Sequence, residues 1–365
     1  MDLDSVRHRH GGYWRDSHLD FHYLFNQYFP PPELYAELQT AVLSLANSYP
    51  SGQRVLAQLL SRWKDAAYFD ERHLVVGNGS SELIKLLNDR VLGRTTVPLP
   101  TFNEFTVRPS GDIHRYPLEE TSGFTLDVDR LLQEVKRSRS RDVVLVNPNN
   151  PVGNLASVDD IRRILESGVR LVIDEAFMAF TDPGYSAEPL VEQYDNLVIV
   201  TSATKSLGIA GLRLGYVLTT NADVLRRLRD ALPIWNVNSL AEYVLESFPR
   251  YRALHRESIE RIKADREWFS DALARVPYLD PFPSHANAVF CRVRGNGRRL
   301  AELLFERYAF VVKEGIQQAE LQTRSWYVRM GIRNRDDNGR LVAALESIDA
   351  GELAGEHAPA LTARA

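Results

Sequence analysis

Short apolar runs, each followed by a polar group of different chemistry, are the feature of this 365-residue chain that most restricts its fold. Three of these runs lead into Lys205, Asp174 and Asn150. They span residues 197–200, 171–173 and 143–146, respectively. Alternation of such runs with helical patterns up to about residue 245 predicts a parallel sheet covered on both sides. We therefore expect the three polar groups to meet at one edge of this sheet.

A lysine, an acid and a fixed cation at neighbouring strand ends form the pattern expected around pyridoxal phosphate (PLP). The amine of Lys205 can condense with an aldehyde, and Asp174 can hold a protonated ring nitrogen. Arg213 follows in an apolar, glycine-flanked run, where a charge needs a buried partner such as the phosphate. The alternatives are a surface salt bridge for Arg213 and a helix cap or an arginine pair for Asp174. Glu175 is expected to point away and to be structural.

Further candidate cofactor residues stand at the ends of other elements. Gly79, Ser80 and Ser81 lie between a strand and a helix, where free backbone N–H groups bind phosphate, although a plain helix cap is the alternative. Ser202 follows a strand and is expected to donate its hydroxyl to the same phosphate. Asn150 is expected to donate to the ring oxygen.

Aromatic stacking on the cofactor ring is predicted for Phe102, with an ordinary core aromatic as the alternative. The histidines, the acids and the single cysteine show no metal-ligand spacing, so we expect no metal.

Composition excludes several classes of partner. Lys and Arg total 44 and Asp and Glu total 48, so the formal charge of −4 provides no general attraction for nucleic acid or for a membrane surface. Cys291 cannot form an internal disulfide, and no apolar stretch approaches the roughly 20 residues of a membrane span. We expect a cytoplasmic enzyme.

The domain organisation is predicted from the same patterns. Residues 1–40 are expected to form an N-terminal arm and part of a small domain, and residues 41–274 a large PLP-binding domain with a mostly parallel central sheet flanked by helices. Residues 275–352 should form a smaller α+β domain with strands at 288–293 and 326–330. Residues 353–365 are expected to be a disordered tail.

Six motifs, taken together and in order, resemble the fold-type-I PLP enzymes of the class I/II aminotransferase superfamily. They read GNGSSE, PTFNEF, NPNNPVG, IDEAF, TSATKSLGIAGLRLGY and YVRMGIR. The resemblance spans about residues 10–350. It implies that Lys205 forms the Schiff base and transfers protons, and that Arg329 binds the substrate α-carboxylate. It also implies that Tyr49 reaches the cofactor phosphate of a neighbouring subunit, hence a homodimer.

Within the superfamily, the sequence is most similar to threonine-phosphate decarboxylase and histidinol-phosphate aminotransferase. His10 with its two following glycines, Arg333, and Phe177 in place of a tyrosine beside the ring oxygen favour the decarboxylase. The substrate region departs from the family pattern, because Leu24 replaces an asparagine and Lys313 replaces an arginine. Asn26 keeps the second asparagine of that motif and is expected to contact the substrate.

The expected reaction is α-decarboxylation of an amino acid with a phosphate or other anionic side group. Transamination stays open, because the bond perpendicular to the cofactor plane decides the reaction. A non-catalytic PLP-binding protein is a more remote alternative. His10, Lys313 and Arg333 are expected to bind the second anion. On an extended strand, Arg329 and Arg333 would lie on the same side about 13 Å apart, whereas the alternative for Arg333 is a surface pair with Asp336 or Asp337.

Overall fold

The computed structural model describes residues 3–8, 10–64, 66–315 and 326–354, and most of the predicted tail 353–365 lies outside these ranges. Eleven helices in the described ranges, α1 to α11, span Leu3–His8, Pro32–Ala46, Gln53–Ser61, Ser80–Arg90, Val128–Ser138, Val158–Glu166, Ala203–Ser206, Ala222–Ala231, Ser239–Leu273, Gly297–Tyr308 and Arg335–Glu346. The strands β1 to β13 span Leu19–Asp20, Leu74–Asn78, Thr95–Leu99, Ile113–Pro117, Asp142–Val146, Arg170–Asp174, Leu197–Ser202, Leu214–Leu218, Leu279–Pro281, Ala288–Val293, Phe310–Val311, Lys313–Glu314 and Tyr327–Gly331.

The central sheet of the large domain has seven strands in the order β2-β8-β7-β6-β5-β3-β4. All its pairs are parallel except the two made by β8, which runs antiparallel to β2 and β7. The mostly parallel α/β architecture predicted from the sequence is therefore confirmed. In this register Val146 lies beside Asp174, and Asp174 beside Val200, so consecutive strand ends are neighbours.

Burial on both faces explains why the strands of this sheet are continuous apolar runs rather than alternating ones. In β5, Val143 and Leu145 pack into the core on one face. Val144 and Val146 pack into a separate core on the other face. With both faces covered by apolar side chains, polar groups are accommodated at the strand ends, which is where the candidate site lies.

The small domain is built on an antiparallel sheet in the order β12-β13-β10-β9. The predicted strand 288–293 is confirmed as β10, and the strand predicted at 326–330 is observed as Tyr327–Gly331. The N-terminal arm joins this domain, since β1 pairs in parallel with β11 and Phe21 and Leu24 are buried in its core.

Two helices differ from the sequence pattern. The run Pro30–Pro32 suggests an interruption, yet α2 begins at Pro32, because proline is well suited to the first helical position, where its missing N–H is not needed. The long helix α9 continues through Pro249, although a proline in a helix interior removes one backbone hydrogen bond. None of the described helices is long and apolar enough to cross a membrane.

Candidate active site

One pocket lies where the strands of the large sheet end. Nine of the residues predicted to contact the cofactor line it together: Ser80, Ser81, Phe102, Asn150, Asp174, Phe177, Ser202, Lys205 and Arg213. They come from positions up to 133 residues apart in the chain. The sheet brings them together because most follow or end a strand or open the helix after it, and Arg213 directly precedes β8, which runs antiparallel to β7 and so begins at the same edge. Their individual roles toward a cofactor stay predictions.

Lys205 lies on the short helix α7, directly after β7. Burial lowers the pKa of its amine to about 8, and the nearby cations Arg329 and Arg213 act in the same direction. Asp174 and Asp20 oppose this lowering of the pKa through their negative charges. A larger share of the amine is therefore neutral near physiological pH than for an exposed lysine, which is the form that attacks an aldehyde.

Asp174 is the last residue of β6, and its side chain is only 3% exposed. Its carboxylate accepts a hydrogen bond from the Ala176 backbone N–H at 2.8 Å. Burial raises the pKa of this carboxyl to about 6, against the smaller opposing effects of that hydrogen bond and of Lys205. A buried carboxylate in a pocket suits a cationic partner, and a protonated pyridine nitrogen is one.

Glu175 points away from the pocket, as predicted from its place next to Asp174. Its carboxylate accepts from the Ser186 hydroxyl at 2.6 Å and from the Ala187 N–H at 2.7 Å. Burial and the neighbouring Glu188 raise the pKa of Glu175. These contacts attach the chain after the pocket to the end of β6, which is a structural role.

The turn predicted to bind phosphate, Gly79–Ser81 (the phosphate turn), passes very close to the strand beside it. Gly79 has a φ of +77°, and a Cβ on it would lie 2.6 Å from a guanidinium nitrogen of Arg213. A Cβ on Gly215 would lie 2.5 Å from the backbone nitrogen of Ser80. Because α4 begins at Ser80, the first N–H groups of that helix face the pocket without partners in the helix.

Arg213 is more exposed than its apolar, glycine-flanked run suggests. Its charge was expected to be buried, but the residue is exposed. The reason is its left-handed backbone, with φ of +54°, which follows a 3-10 turn and carries the side chain to the open side of the pocket. No carboxylate in the described ranges pairs with it, so the surface salt bridge weighed as the alternative is not observed there.

The aromatic residues Phe102 and Phe177 both line the pocket. Phe177 is buried, and the amine of Lys205 lies 6.0 Å from its ring centre. A ring of this kind gives a planar cofactor an apolar surface without offering a hydrogen bond to its oxygen.

Arg329 reaches from β13 of the small domain to the turn of the large domain that carries Asn150. One terminal nitrogen donates to the Asn150 side-chain oxygen at 2.6 Å, and the other donates to the His22 carbonyl at 2.5 Å. The guanidinium is buried, its Nε has no hydrogen-bond partner among the described residues, and burial lowers its pKa to about 10. No described carboxylate forms an ion pair with it. A buried cation held only by neutral oxygens is suited to an anionic ligand.

The remaining substrate predictions have different outcomes. Lys313 lies directly opposite Arg329 in the antiparallel register of β12 and β13, so its side chain shares a sheet face with Arg329. His10 is exposed, with φ of +49°, and is not one of the residues lining the pocket. Both stay predictions as substrate ligands.

Asn26 is buried and engaged within the fold. Its amide nitrogen donates to the Ser206 carbonyl at 3.0 Å and to the Ser258 hydroxyl at 2.7 Å, and its side-chain oxygen accepts from the Tyr28 N–H. Both amide hydrogens are therefore used inside the fold, and the substrate contact of Asn26 stays a prediction. Its backbone N–H donates to the Lys205 carbonyl at 2.8 Å, so Asn26 supports the lysine segment.

Arg333 does not have the geometry assumed for it. The strand β13 ends at Gly331, so Arg333 lies beyond the extended strand from which the 13 Å spacing was derived. Its guanidinium donates to Asp337 at 2.9 Å and to the Asp20 carbonyl at 3.0 Å. The pair with Asp337 that was weighed as the alternative is present, and it favours this alternative over the predicted substrate role.

Tyr49 lies outside the pocket of its own chain. Its side chain is 80% exposed and stacks on Trp235 with ring centres 4.3 Å apart. Its proposed contact with a neighbouring subunit stays a prediction.

Sequence reasoning missed three contributors to the site. Gly215 permits the close approach of the phosphate turn, and its place in a glycine-containing strand next to Arg213 was an available signal. The His22 carbonyl holds Arg329, but a backbone oxygen leaves no trace in the sequence. Asp20 holds the turn at His22, and an aspartate two residues before that turn is a signal of an Asx-turn.

The pocket combines a lysine of lowered pKa, a buried acid and a helix start whose first N–H groups have no partner in the helix. These are the groups that a PLP aldehyde, pyridine nitrogen and phosphate require. With the mostly parallel sheet that carries them, they define a PLP-binding enzyme domain. The model of the family "Aminotransferase class I and II" matches residues 26–345, and the chain belongs to this family, which is PLP-dependent.

Several relatives of the chain are known. It is 34% identical over 349 residues to "CMP-5'-(3-aminopropyl)phosphonate synthase" of Streptomyces rubellomurinus, which covers 94% of this chain and 55% of that protein. It is 29% identical over 315 residues to "L-serine phosphate decarboxylase" of Sulfurospirillum multivorans, covering 82% of this chain and 79% of that protein. The chain spans about half the length of the two relatives of highest identity reported for it.

A solved structure shares the fold. A decarboxylase from Sulfurospirillum multivorans superposes with a TM-score of 0.81 at 26% identity, covering 90% of this chain and 87% of that one.

Proposed function

We propose that this chain is a PLP-dependent enzyme that removes the α-carboxyl group from an amino acid with a phosphate or phosphonate side group. The observation that carries the proposal is Arg329, a buried cation held by neutral oxygens, one of which belongs to Asn150 in the pocket of Lys205. A substrate carboxylate would supply the negative charge that the guanidinium lacks.

The cofactor would be held by groups from one edge of the sheet. PLP, when bound, supplies an aldehyde for the substrate amine and a ring that accepts the electrons of the breaking bond. Lys205 holds the cofactor covalently and moves the proton at the substrate Cα. Asp174 keeps the ring nitrogen protonated, and Asn150 donates to the ring oxygen. The phosphate turn, with Ser202 and Arg213, binds the phosphate.

Decarboxylation is the first choice because of the relatives and because the reaction balances without another reactant. The amino acid and one proton yield a primary amine and CO₂. The Streptomyces relative is named for an aminopropylphosphonate, whose amine-bearing carbon carries no carboxylate. A second relative is named L-serine phosphate decarboxylase. Both names join an amine to a phosphorus-containing group, which supports a substrate with a second anion.

Transamination is the second candidate, favoured by the aminotransferase family that includes the chain. Lys205 and Asp174 would have the same roles in both reactions. What differs is whether the pocket places the carboxylate or the Cα hydrogen perpendicular to the cofactor plane.

One experiment separates these candidates. The PLP-loaded protein is given phosphothreonine, phosphoserine, 2-amino-4-phosphonobutyrate and the corresponding side chains without phosphorus. CO₂ release and conversion to the pyridoxamine form are followed in parallel. CO₂ release with a preference for the phosphorus-containing substrates supports the proposal, and pyridoxamine formation without CO₂ supports transamination. A protein without the yellow colour of bound PLP and without turnover would be a non-catalytic relative.

A homodimer in the cytoplasm completes the proposal. Tyr49 is exposed and stacks on Trp235, and Leu43 and Ile234 are exposed as well. Large apolar side chains left exposed in this way support contact with a second subunit.

Mixing two defective variants tests whether Tyr49 serves the partner's site. A Lys205→Ala subunit keeps Tyr49, and a Tyr49→Ala subunit keeps Lys205, so one complete site forms in each mixed dimer. Random mixing should restore up to about a quarter of the wild-type activity. No recovery in a mixture shown by sedimentation to contain dimers would reject the shared site.

A further inference from the structure

Asp20 is a half-buried carboxylate next to the site, and the proposed function leaves it without a role. It ends β1, in the N-terminal arm. One of its carboxylate oxygens accepts the backbone N–H of His22 at 2.7 Å and that of Tyr23 at 3.1 Å. Burial raises the pKa of Asp20, while these two hydrogen bonds and Arg333 act against that rise. The carboxylate therefore fixes the turn that follows β1.

This turn is one of the two supports of Arg329. The His22 carbonyl accepts a hydrogen bond from one terminal nitrogen of Arg329 at 2.5 Å, while Asn150 accepts from the other. The direction of the His22 carbonyl depends on the peptide that Asp20 holds. Loss of the Asp20 carboxylate would leave two backbone N–H groups without their acceptor and would free the turn to rotate.

Asp20 also acts on the site through its charge. Its negative charge raises the pKa values of both Lys205 and Arg329. It therefore stabilises the cationic form of Arg329, but it also repels an incoming carboxylate. The geometric effect of Asp20 favours binding of a substrate carboxylate, whereas its charge disfavours it, so the two effects have opposite signs.

We propose that Asp20 is a positioning residue for the substrate α-carboxylate and that it acts through the His22 turn on the orientation of Arg329. The inference rests on the proposed function, because it takes Arg329 as the carboxylate ligand. A merely structural role in joining the arm to β11 would change stability without a selective effect on substrate affinity.

Two substitutions of Asp20 separate its effect on the turn from the effect of its charge. Asp20→Asn keeps an oxygen that can accept both N–H groups and removes the charge, whereas Asp20→Ala removes both. The matched control is Asp70→Ala, since Asp70 accepts from the N–H two residues later, at 2.8 Å, in the same manner as Asp20 but on the surface of the large domain. Arg329→Lys serves as the test of the carboxylate site itself.

The PLP-loaded proteins are compared by calorimetric titration with 4-phosphonobutyrate, which has a carboxylate and a phosphonate but no amine to react. KM and kcat for the best substrate are measured in parallel, with cofactor absorbance and thermal unfolding as checks on the fold. Asp20→Ala should weaken binding of the probe about tenfold and raise KM with little change in kcat, as expected for two lost hydrogen bonds. Asp20→Asn should stay within about threefold of wild type or bind more tightly, and Asp70→Ala should not differ.

Two results would overturn the proposal. The first is an unchanged probe affinity and KM in Asp20→Ala. The second is a loss of probe affinity in Asp20→Asn equal to that in Asp20→Ala, which would make the charge rather than the turn responsible. Arg329→Lys shows which idea has failed. If Arg329→Lys weakens binding and Asp20→Ala does not, only the role of Asp20 is wrong. If Arg329→Lys also leaves the affinity unchanged, the carboxylate site of the proposed function is wrong.

Discussion

The proposed site has a cofactor half and a substrate half, and these are built by different kinds of structure. In the cofactor half, Asp174, Ser202 and Lys205 each stand at or just after the end of a strand in one sheet. In the substrate half, Arg329 of the small domain meets a carbonyl of the N-terminal arm and a side chain of the large domain. The first half needs one sheet to form, and the second needs three distant segments to dock.

This difference has a consequence for mutations. A residue at a strand end is held by the sheet around it, so its replacement removes a chemical group and leaves its neighbours in place. A residue in the substrate half supports other residues, and its replacement disturbs geometry. We therefore expect large, sharply localised effects in the cofactor half and smaller, transmitted effects in the substrate half.

Lys205→Ala should have the largest effect, a loss of turnover of at least about thousandfold, because the covalent link and the proton transfer reside in one amine. PLP binding itself should survive in weakened form. Borohydride treatment followed by peptide mapping should find the cofactor on Lys205 in the wild type, with Lys85→Ala as an exposed lysine control. A label on any other lysine would refute the assignment.

Asp174→Asn should follow, with activity reduced on the order of a hundredfold or more in a protein that folds normally. The amide cannot stabilise a protonated ring nitrogen, so the ring accepts electrons less well. Steady-state kinetics of the PLP-loaded variant measure this loss. Turnover close to wild type would contradict the role of Asp174.

The same variant should remove a pH dependence of stability in the cofactor-free protein. Burial raises the pKa of Asp174 from 3.8 to about 6, so the folded state binds more protons than the unfolded chain between these values. The contribution of this group to the free energy of unfolding is therefore fully present below about pH 4. It falls by on the order of 3 kcal/mol as the pH rises through about 6. Urea unfolding at pH 5 and pH 8 should show a smaller fall for cofactor-free Asp174→Asn than for wild type.

Gly215→Ala should weaken PLP binding by about tenfold, since its Cβ would lie 2.5 Å from the Ser80 nitrogen and push the phosphate turn out of place. Gly211→Ala is a suitable control, because a Cβ there meets nothing within 4 Å. PLP affinity measured by absorbance titration should be unchanged in the control. Equal affinities in all three proteins would mean that the phosphate does not bind at this turn.

The sequence is informative about the two halves to different degrees. The cofactor half could be predicted because the apolar runs reveal the strands, and the residue after each strand is visible in the sequence, as for Asp174 and Lys205. Even there the exposure of Arg213 was missed, because its left-handed backbone is not apparent from its neighbours. In the substrate half, the side chain of Asn26 donates to the Ser206 carbonyl, and this contact depends on tertiary packing that the sequence does not show.

Arg333→Ala should have the smallest effect, and it tests whether the substrate half is already formed before substrate binds. The guanidinium donates to Asp337 and to the Asp20 carbonyl, so it is already engaged within the fold. We expect the preference for phosphothreonine over threonine to change by less than about threefold, with a modest loss of stability of at most about 1 kcal/mol. Lys313→Ala is the comparison, because Lys313 lies across from Arg329 on the neighbouring strand. The ratio of kcat/KM for the two substrates measures the preference in each protein.

If Arg333→Ala lowered that ratio tenfold or more, the arginine would have to leave Asp337 when substrate binds. The substrate half would then be assembled by its ligand, rather than being already formed like the cofactor half.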